Sequence, residues 1–173
     1  MENEQEIIGL GGGCHWCTEA VFQSLKGVHK VQQGYIATSP SGRSDQDTSE
    51  GLSEAVIVHF DPNVISLAEL LLIHLHTHAA TRQHSFRDRY RSACYYFDEK
   101  QGEQLKILME EAQNHFAERL ITQILPFHKF RESRESIQDY YLKNPDAPFC
   151  MRYIVPKLGL LKERFSELLK NQE

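Results

Sequence analysis

Three consecutive glycines followed by a cysteine, Gly11-Gly12-Gly13-Cys14, constrain this chain more than any other feature. They come directly after an apolar run at 7–10 and directly before apolar positions at near-helical spacing, Trp16, Ala20, Val21 and Leu25. The pattern is that of a strand ending in a tight turn that reopens as a helix over 14–26. Gly27 supplies the stop. Cys14 then stands at a helix N-terminus, where unsatisfied N–H groups and a partial positive charge favour thiolate over thiol. Such a position is expected to lower a cysteine pKa below its free value of about 8.5 and so to make a nucleophile. The glycines leave room for a substrate to approach it. Cys17, one helical turn on, lies within reach of a disulfide.

Strands and helices follow in irregular alternation. Strands are expected at 28–38, 54–60, 92–97 and 120–127. Helices are expected at 66–78, 99–119, 133–142 and 158–170, the first with Ser66 as N-cap and Glu69 three residues on. The stretch 38–51 is dense in turn residues and reads as the one clear loop. Pro145 and Pro148 break a coil that delivers Cys150. This order implies an α/β (α+β) fold, a two-layer sandwich of a mixed sheet with flanking helices. At 173 residues the chain suits one domain, 1–173, with a real core and no room for two.

Composition excludes several classes. Nineteen Lys and Arg against 24 Asp and Glu give a net charge of −5, which argues against bulk nucleic-acid binding and an electrostatic membrane anchor. With 40% apolar and 25% charged residues, a disordered or fibrous chain is excluded. No apolar run approaches the roughly 18 residues of a membrane span. Acidic residues stand at the N-terminus where a signal peptide carries positive ones, so the expected location is cytoplasmic. Four cysteines, Cys14, Cys17, Cys94 and Cys150, are too few for a disulfide scaffold. A zinc site lacks a second paired spacing, and His74, His76 and His78 alternate sides on a helix, so no metal is expected. A dinucleotide loop is equally poor, because Cys14 replaces the third glycine after Gly9 and Gly11. No cofactor is expected.

Gly13-Cys14-His15-Trp16-Cys17-x-Glu19, with Phe22, Gly27-Val28 and Gly34-Tyr35, resembles the signature of the peptide methionine sulfoxide reductase A family. The match continues through Gly51-x-x-Glu54-Ala55-Val56, Tyr90-Arg91-Ser92, Tyr141-Leu142-Lys143-Asn144-Pro145 and Pro156-Lys157-Leu158, in order along almost the whole chain. The resemblance implies a ferredoxin-like core and thiol-dependent reduction of the S epimer of methionine sulfoxide, free or in proteins, without metal or organic cofactor. Cys14 would attack the sulfoxide sulfur and Glu54 would protonate its oxygen. That is chemically sensible, since a carboxyl in an apolar pocket keeps its proton. Tyr90 would donate a further hydrogen bond and Trp16 would pack on the methyl group. Attack leaves a sulfenic acid on Cys14, which condenses with a second thiol. Cys150 is favoured as that resolving thiol because a coil lets it swing in, with Cys17 as the other candidate. A thioredoxin-type protein would then reduce the disulfide. Cys94, in a β-rich apolar run, reads as core.

Departures from the family pattern gather at one site. His15 stands in place of the usual Phe, where it could stabilise the thiolate or shuttle protons. The loop 38–51 has no tyrosine, His78-Ala79-Ala80-Thr81 replaces His-Asp-Pro-Thr, Ser85 falls about where a substrate-site Asp would lie, and Gln138 replaces a common His. Arg82, Arg87, Arg89 and Arg91 crowd one segment with His84. With His15, Trp16, Ser85, Arg87 and Arg89 taken as substrate-binding, these changes suggest an alternative. The chain would be a divergent paralogue with weakened catalysis or an altered, polar or anionic sulfur substrate, acting partly as a binding module. A general disulfide oxidoreductase using Cys14 and Cys17 is a further reading.

Overall fold

The computed structural model describes residues 5–37, 52–84, 87 and 89–170. The expected loop at 38–51 and the candidate Ser85 lie outside the described residues.

Strand β1 (Glu6–Gly11) runs into the glycine turn, and helix α1 (His15–Gln23) begins immediately after Cys14. Strands β2 (Val28–Ala37) and β3 (Ser53–Phe60) follow, then α2 (Leu67–His76) and β4 (Ala93–Tyr96). Four strands stand in the order β4-β1-β3-β2, all neighbours antiparallel, with α1 and α2 as the two crossovers. That is the ferredoxin-like split-βαβ arrangement. Strand β5 (Gln123–Pro126) adds parallel to β4, and β6 (Lys129–Glu132) adds antiparallel to β2, giving six strands in a mixed sheet.

The expected elements in the first half form where local signals are strong. Ser66 Oγ accepts from Glu69 N at 3.1 Å while Glu69 Oε1 accepts from Ser66 N at 3.0 Å, the capping box read from the sequence. Gly27 has φ of +84°, and a Cβ there would meet Val64 and Ile65 at 2.9 Å. Only glycine fits that turn. Strand β3 is buried along nearly its whole length because it is central and covered on both faces. Its Val56, Val58 and Phe60 share a core with Val21, Phe22 and Leu25 of α1 and Leu70, Leu71 and Ile73 of α2. Ala55 and Ile57 pack on the other face with Ile36, Ala93 and Tyr95.

The C-terminal third departs from expectation. Helix α3 (Glu99–Ala112) ends seven residues before 119, because the Gln113 side chain accepts from Leu120 N and donates to Glu118 O, folding the chain back (2.9 Å each). The expected helix 133–142 is split: Asp139 sits in the left-handed region at φ 56°, which leaves a 3₁₀ turn at Glu135–Ile137 and the single turn α4 (Tyr140–Lys143). Strand β6 was not expected, having four residues and no alternation to show. Cys150 is not on a coil. It is fully buried at the start of a π-helical turn, Cys150–Ile154, which runs directly into α5 (Val155–Arg164).

Candidate active site

The glycine turn, the N-terminus of β3 and the segment leading into β4 all meet at one end of the sheet. The antiparallel register sets Tyr35 opposite Glu54 and Gly11 opposite Ala93. Gly12 is where a side chain is impossible, because a Cβ there would run into the His78 ring. That imidazole is itself fixed: Nδ1 donates to the His74 carbonyl at 2.5 Å, and Nε2 meets Ser92 Oγ at 2.7 Å, which in turn bonds Thr122 Oγ1 at 2.7 Å. Burial lowers the His78 pKa to about 4, so the ring is a neutral prop behind the turn.

Cys14 caps α1 without a side-chain capping bond, its carbonyl accepting from Cys17 N at 3.1 Å. Cys17, Ala20, Cys150 and Ile154 are buried in one cluster against which Cys14, Tyr140 and Phe149 pack. Three of the four cysteines are therefore together, and all four are free. Cys94 is the exception, fully buried in β4 with its pKa pushed up to about 12 by burial, a core residue as expected.

The electrostatics of the thiols differ from the expected picture. The Cys14 thiol hydrogen-bonds Cys17, and together with burial this raises the Cys14 pKa, outweighing the Trp16 N–H that pulls it down. The same bond lowers the Cys17 pKa, assisted by the Lys157 ammonium. A helix N-terminus alone did not set the nucleophile, because a neighbouring sulfur competes for the proton. Lys157, on α5, donates to the Thr77 carbonyl and is largely shielded from water, and burial lowers its pKa.

Glu54 is buried at 3% exposure, yet its surroundings are not apolar. Arg89 Nε donates to Oε2 at 2.8 Å, and His15 Nε2 lies 3.3 Å from Oε1. Tyr90 lies near the Glu54 carboxyl, and burial together with the Glu54 charge raises the phenol's pKa. Segment 89–91 is pinned to β3, with Glu54 N donating to Arg89 O and Ser53 Oγ donating to the same carbonyl, both at 2.9 Å. The expectation of a carboxyl in an apolar pocket is thus replaced by a carboxyl inside a polar cage.

Trp16 stacks on Tyr140 with ring centroids 4.0 Å apart and takes Phe149 edge-on at 5.2 Å, so its ring forms a wall beside Cys14. Arg87 does not face a substrate. All five of its N–H groups go to carbonyls: Nε to Arg82 O, one terminal nitrogen to Gly12 O and Tyr90 O, the other to Ala79 O and Arg82 O, at 2.5–3.1 Å. It is a clamp on the glycine turn and has no donor left for an anion. Arg89, 68% exposed, is the arginine at the site. Sequence reasoning missed Glu19, fully buried on α1, which accepts from Gln33 Nε2, Asp139 N and Tyr140 N at 3.0–3.2 Å and anchors the segment carrying Tyr140 and Cys150. Its place in the Cys14–Glu19 block was the available signal. Among the described residues no group of three or more His, Cys, Asp or Glu is arranged to hold a metal ion.

A partly accessible thiol at a helix start, two further thiols behind it and a carboxyl opposite define a cysteine-based redox site with an acid partner. The model of the peptide methionine sulfoxide reductase family matches residues 6–169, and the chain belongs to that family. Peptide methionine sulfoxide reductase MsrA of Pasteurella multocida is 37% identical over 168 residues, covering 93% of this chain and 97% of its own. The MsrA of Deinococcus radiodurans is 37% identical over 175 residues, covering 96% of this chain and 85% of its own. Among solved structures, Mxr1 of Saccharomyces cerevisiae in reduced form aligns with a TM-score of 0.71 at 27% identity, covering 87% of this chain and 91% of that one.

Proposed function

We propose that this protein reduces methionine-S-sulfoxide, free or in proteins, to methionine at Cys14. Cys14 Sγ attacks the sulfoxide sulfur as its proton passes to Cys17 Sγ. Glu54 gives a proton to the departing oxygen, with Tyr90 donating a hydrogen bond, and methionine leaves while Cys14 becomes a sulfenic acid. Cys17 Sγ then displaces water from that sulfenic acid to form a Cys14–Cys17 disulfide. Cys150, buried beside Cys17, accepts the disulfide by exchange, and a thioredoxin-type dithiol reduces it while becoming oxidised itself. Cys17 moves ahead of Cys150 as first resolver because it already shares a hydrogen bond with Cys14 and has the lowered pKa.

The observation that carries this reading is the gathering of Cys14, Cys17 and Cys150 in one cluster beside a buried carboxyl. The weakened, binding-module alternative loses its support: Cys14, Glu54 and Tyr90 are assembled, and Arg87 is a backbone clamp. Cys14, Cys17 and Cys150 must cycle through thiols, which fits a reducing compartment, so we place the protein in the cytoplasm, as one domain over 1–173. No helix among the described residues is long and apolar enough to cross a membrane. Disulfide mapping by mass spectrometry tests the reading, after one equivalent of methionine-S-sulfoxide without reductant. One methionine released per chain and a Cys14–Cys17 or Cys17–Cys150 disulfide support it. Unoxidised cysteines overturn it.

A further inference from the structure

His15 departs from the family pattern at the position nearest the acid, and its hydrogen bonds leave it one arrangement. Its Nδ1 lies 2.9 Å from the Gly34 carbonyl. A carbonyl oxygen only accepts, so Nδ1 carries the hydrogen. In the neutral ring Nε2 is then a bare lone pair, and it faces Glu54 Oε1 at 3.3 Å. Two lone pairs facing each other are costly in a buried contact, where His15 is 4% and Glu54 3% exposed. A proton held between Nε2 and Oε1 removes that cost, and the His15 backbone N–H donates to the same Oε1 at 3.4 Å. Across the same carboxyl, the Arg89 guanidinium donates to Oε2 at 2.8 Å, so a proton on Oε1 shares the carboxyl with a cation.

We propose that His15 is a positioning residue for the acid step: it confines a single proton on the Nε2–Oε1 line, so that Glu54 can deliver it to the sulfoxide oxygen while Arg89 neutralises the carboxylate left behind. This rests on the sulfoxide reductase reading above and adds to it the source of the proton. The step balances. Glu54 Oε1 loses the proton to the sulfoxide oxygen, Cys14 supplies the electron pair, and the neutral His15 is left with its Nε2 lone pair facing Oε1, a costly contact that draws a proton back onto the pair. The pair recovers its proton from solvent before the next cycle.

Among the described residues, the groups facing this pair come from three elements. Cys14 and Cys17 approach from α1, Tyr35 from β2 with its ring edge-on to His15 at 5.3 Å, and Arg89 and Tyr90 from the segment before β4. Burial lowers the His15 pKa, which keeps the imidazole neutral and its Nε2 an acceptor. Because the proton is shared, the pH dependence of turnover belongs to the pair and not to either residue.

The test compares kcat/KM for methionine-S-sulfoxide across pH in the wild type, His15→Phe, and His15→Phe combined with Arg89→Met. His15→Phe removes the proton's second anchor. Its activity should fall by about 10²-fold at mildly alkaline pH and recover toward wild type as pH falls. Adding Arg89→Met removes the cation that shares the carboxyl and should restore about 10-fold of the loss at the alkaline end. An equal loss for His15→Phe at every pH, or no rescue by Arg89→Met, overturns the proposal. Iodoacetamide labelling of Cys14 and thermal unfolding of each variant show that the fold is intact. If the wild type itself releases no methionine, the functional reading has failed, and the two failures are thereby told apart.

Discussion

Arg87 and Arg89 are two residues apart and have opposite tasks. The first gives all five donors to carbonyls of the glycine turn and its neighbours, while the second holds the Glu54 carboxylate and is largely exposed. The same division runs through the site. On the sulfur side, Cys14, Cys17 and Cys150 lie in an apolar cluster whose shape is set by α1, the π-helical turn and the Arg87 and His78 props behind the turn. On the acid side, Glu54 is reached by charged and polar groups from two segments of chain, His15 on α1 and Arg89 with Tyr90 before β4. The sulfur side depends on packing and the acid side on protons. Each can be disturbed separately.

The largest effect should come from Cys14→Ser, which removes the nucleophile and should lower turnover by at least about 10³-fold without shifting the denaturation midpoint. Single-turnover methionine release measures it, and a variant retaining a tenth of the activity would contradict the assignment of Cys14. Arg87→Met and Arg89→Met sharpen the comparison. Arg87→Met should cost about 2 kcal/mol of stability, read from urea unfolding, because it strands carbonyls around Gly12. Arg89→Met should leave unfolding nearly unchanged and alter the pH profile instead. Identical behaviour of the two would erase the distinction.

His78 predicts a pH dependence of stability. Its folded pKa of about 4 lies below the usual 6.5, so in that window the unfolded chain binds the extra proton. Stability is therefore fully present above about pH 6.5 and declines as pH falls toward about pH 4, by up to about 3 kcal/mol. His78→Asn should flatten that part of the stability–pH curve, whatever it does to the mean. The smallest effect is expected for Lys157→Met. Losing the ammonium that lowers the Cys17 pKa should slow Cys14–Cys17 disulfide formation a few-fold while leaving the first methionine release unchanged.

The fold was legible where the signals are local. The glycine break, the Ser66–Glu69 capping box, the Gly27 stop and the apolar run of β3 each act within a few residues, and the first four strands follow from them. The C-terminal third was not, because Asp139 in the left-handed region, the Gln113 side chain and the π-helical turn at Cys150 answer to tertiary contacts. The site divides in the same way. Cys14 announced itself through the turn, and Glu54, Tyr90 and Trp16 through the resemblance. Arg87 and Arg89 look alike in sequence, and only the carbonyls around one and the carboxylate beside the other separate them. The helix N-terminus beside Cys14 is visible in sequence, and the influence of the Cys17 thiol on its proton is not.

The most direct test of the central claim uses the Cys17→Ser, Cys150→Ser double variant, in which a sulfenic acid on Cys14 has no partner. After one equivalent of methionine-S-sulfoxide in the presence of dimedone, mass spectrometry should find one adduct, on Cys14, with one methionine released per chain. Methionine release with the adduct elsewhere, or no release at all, would contradict it.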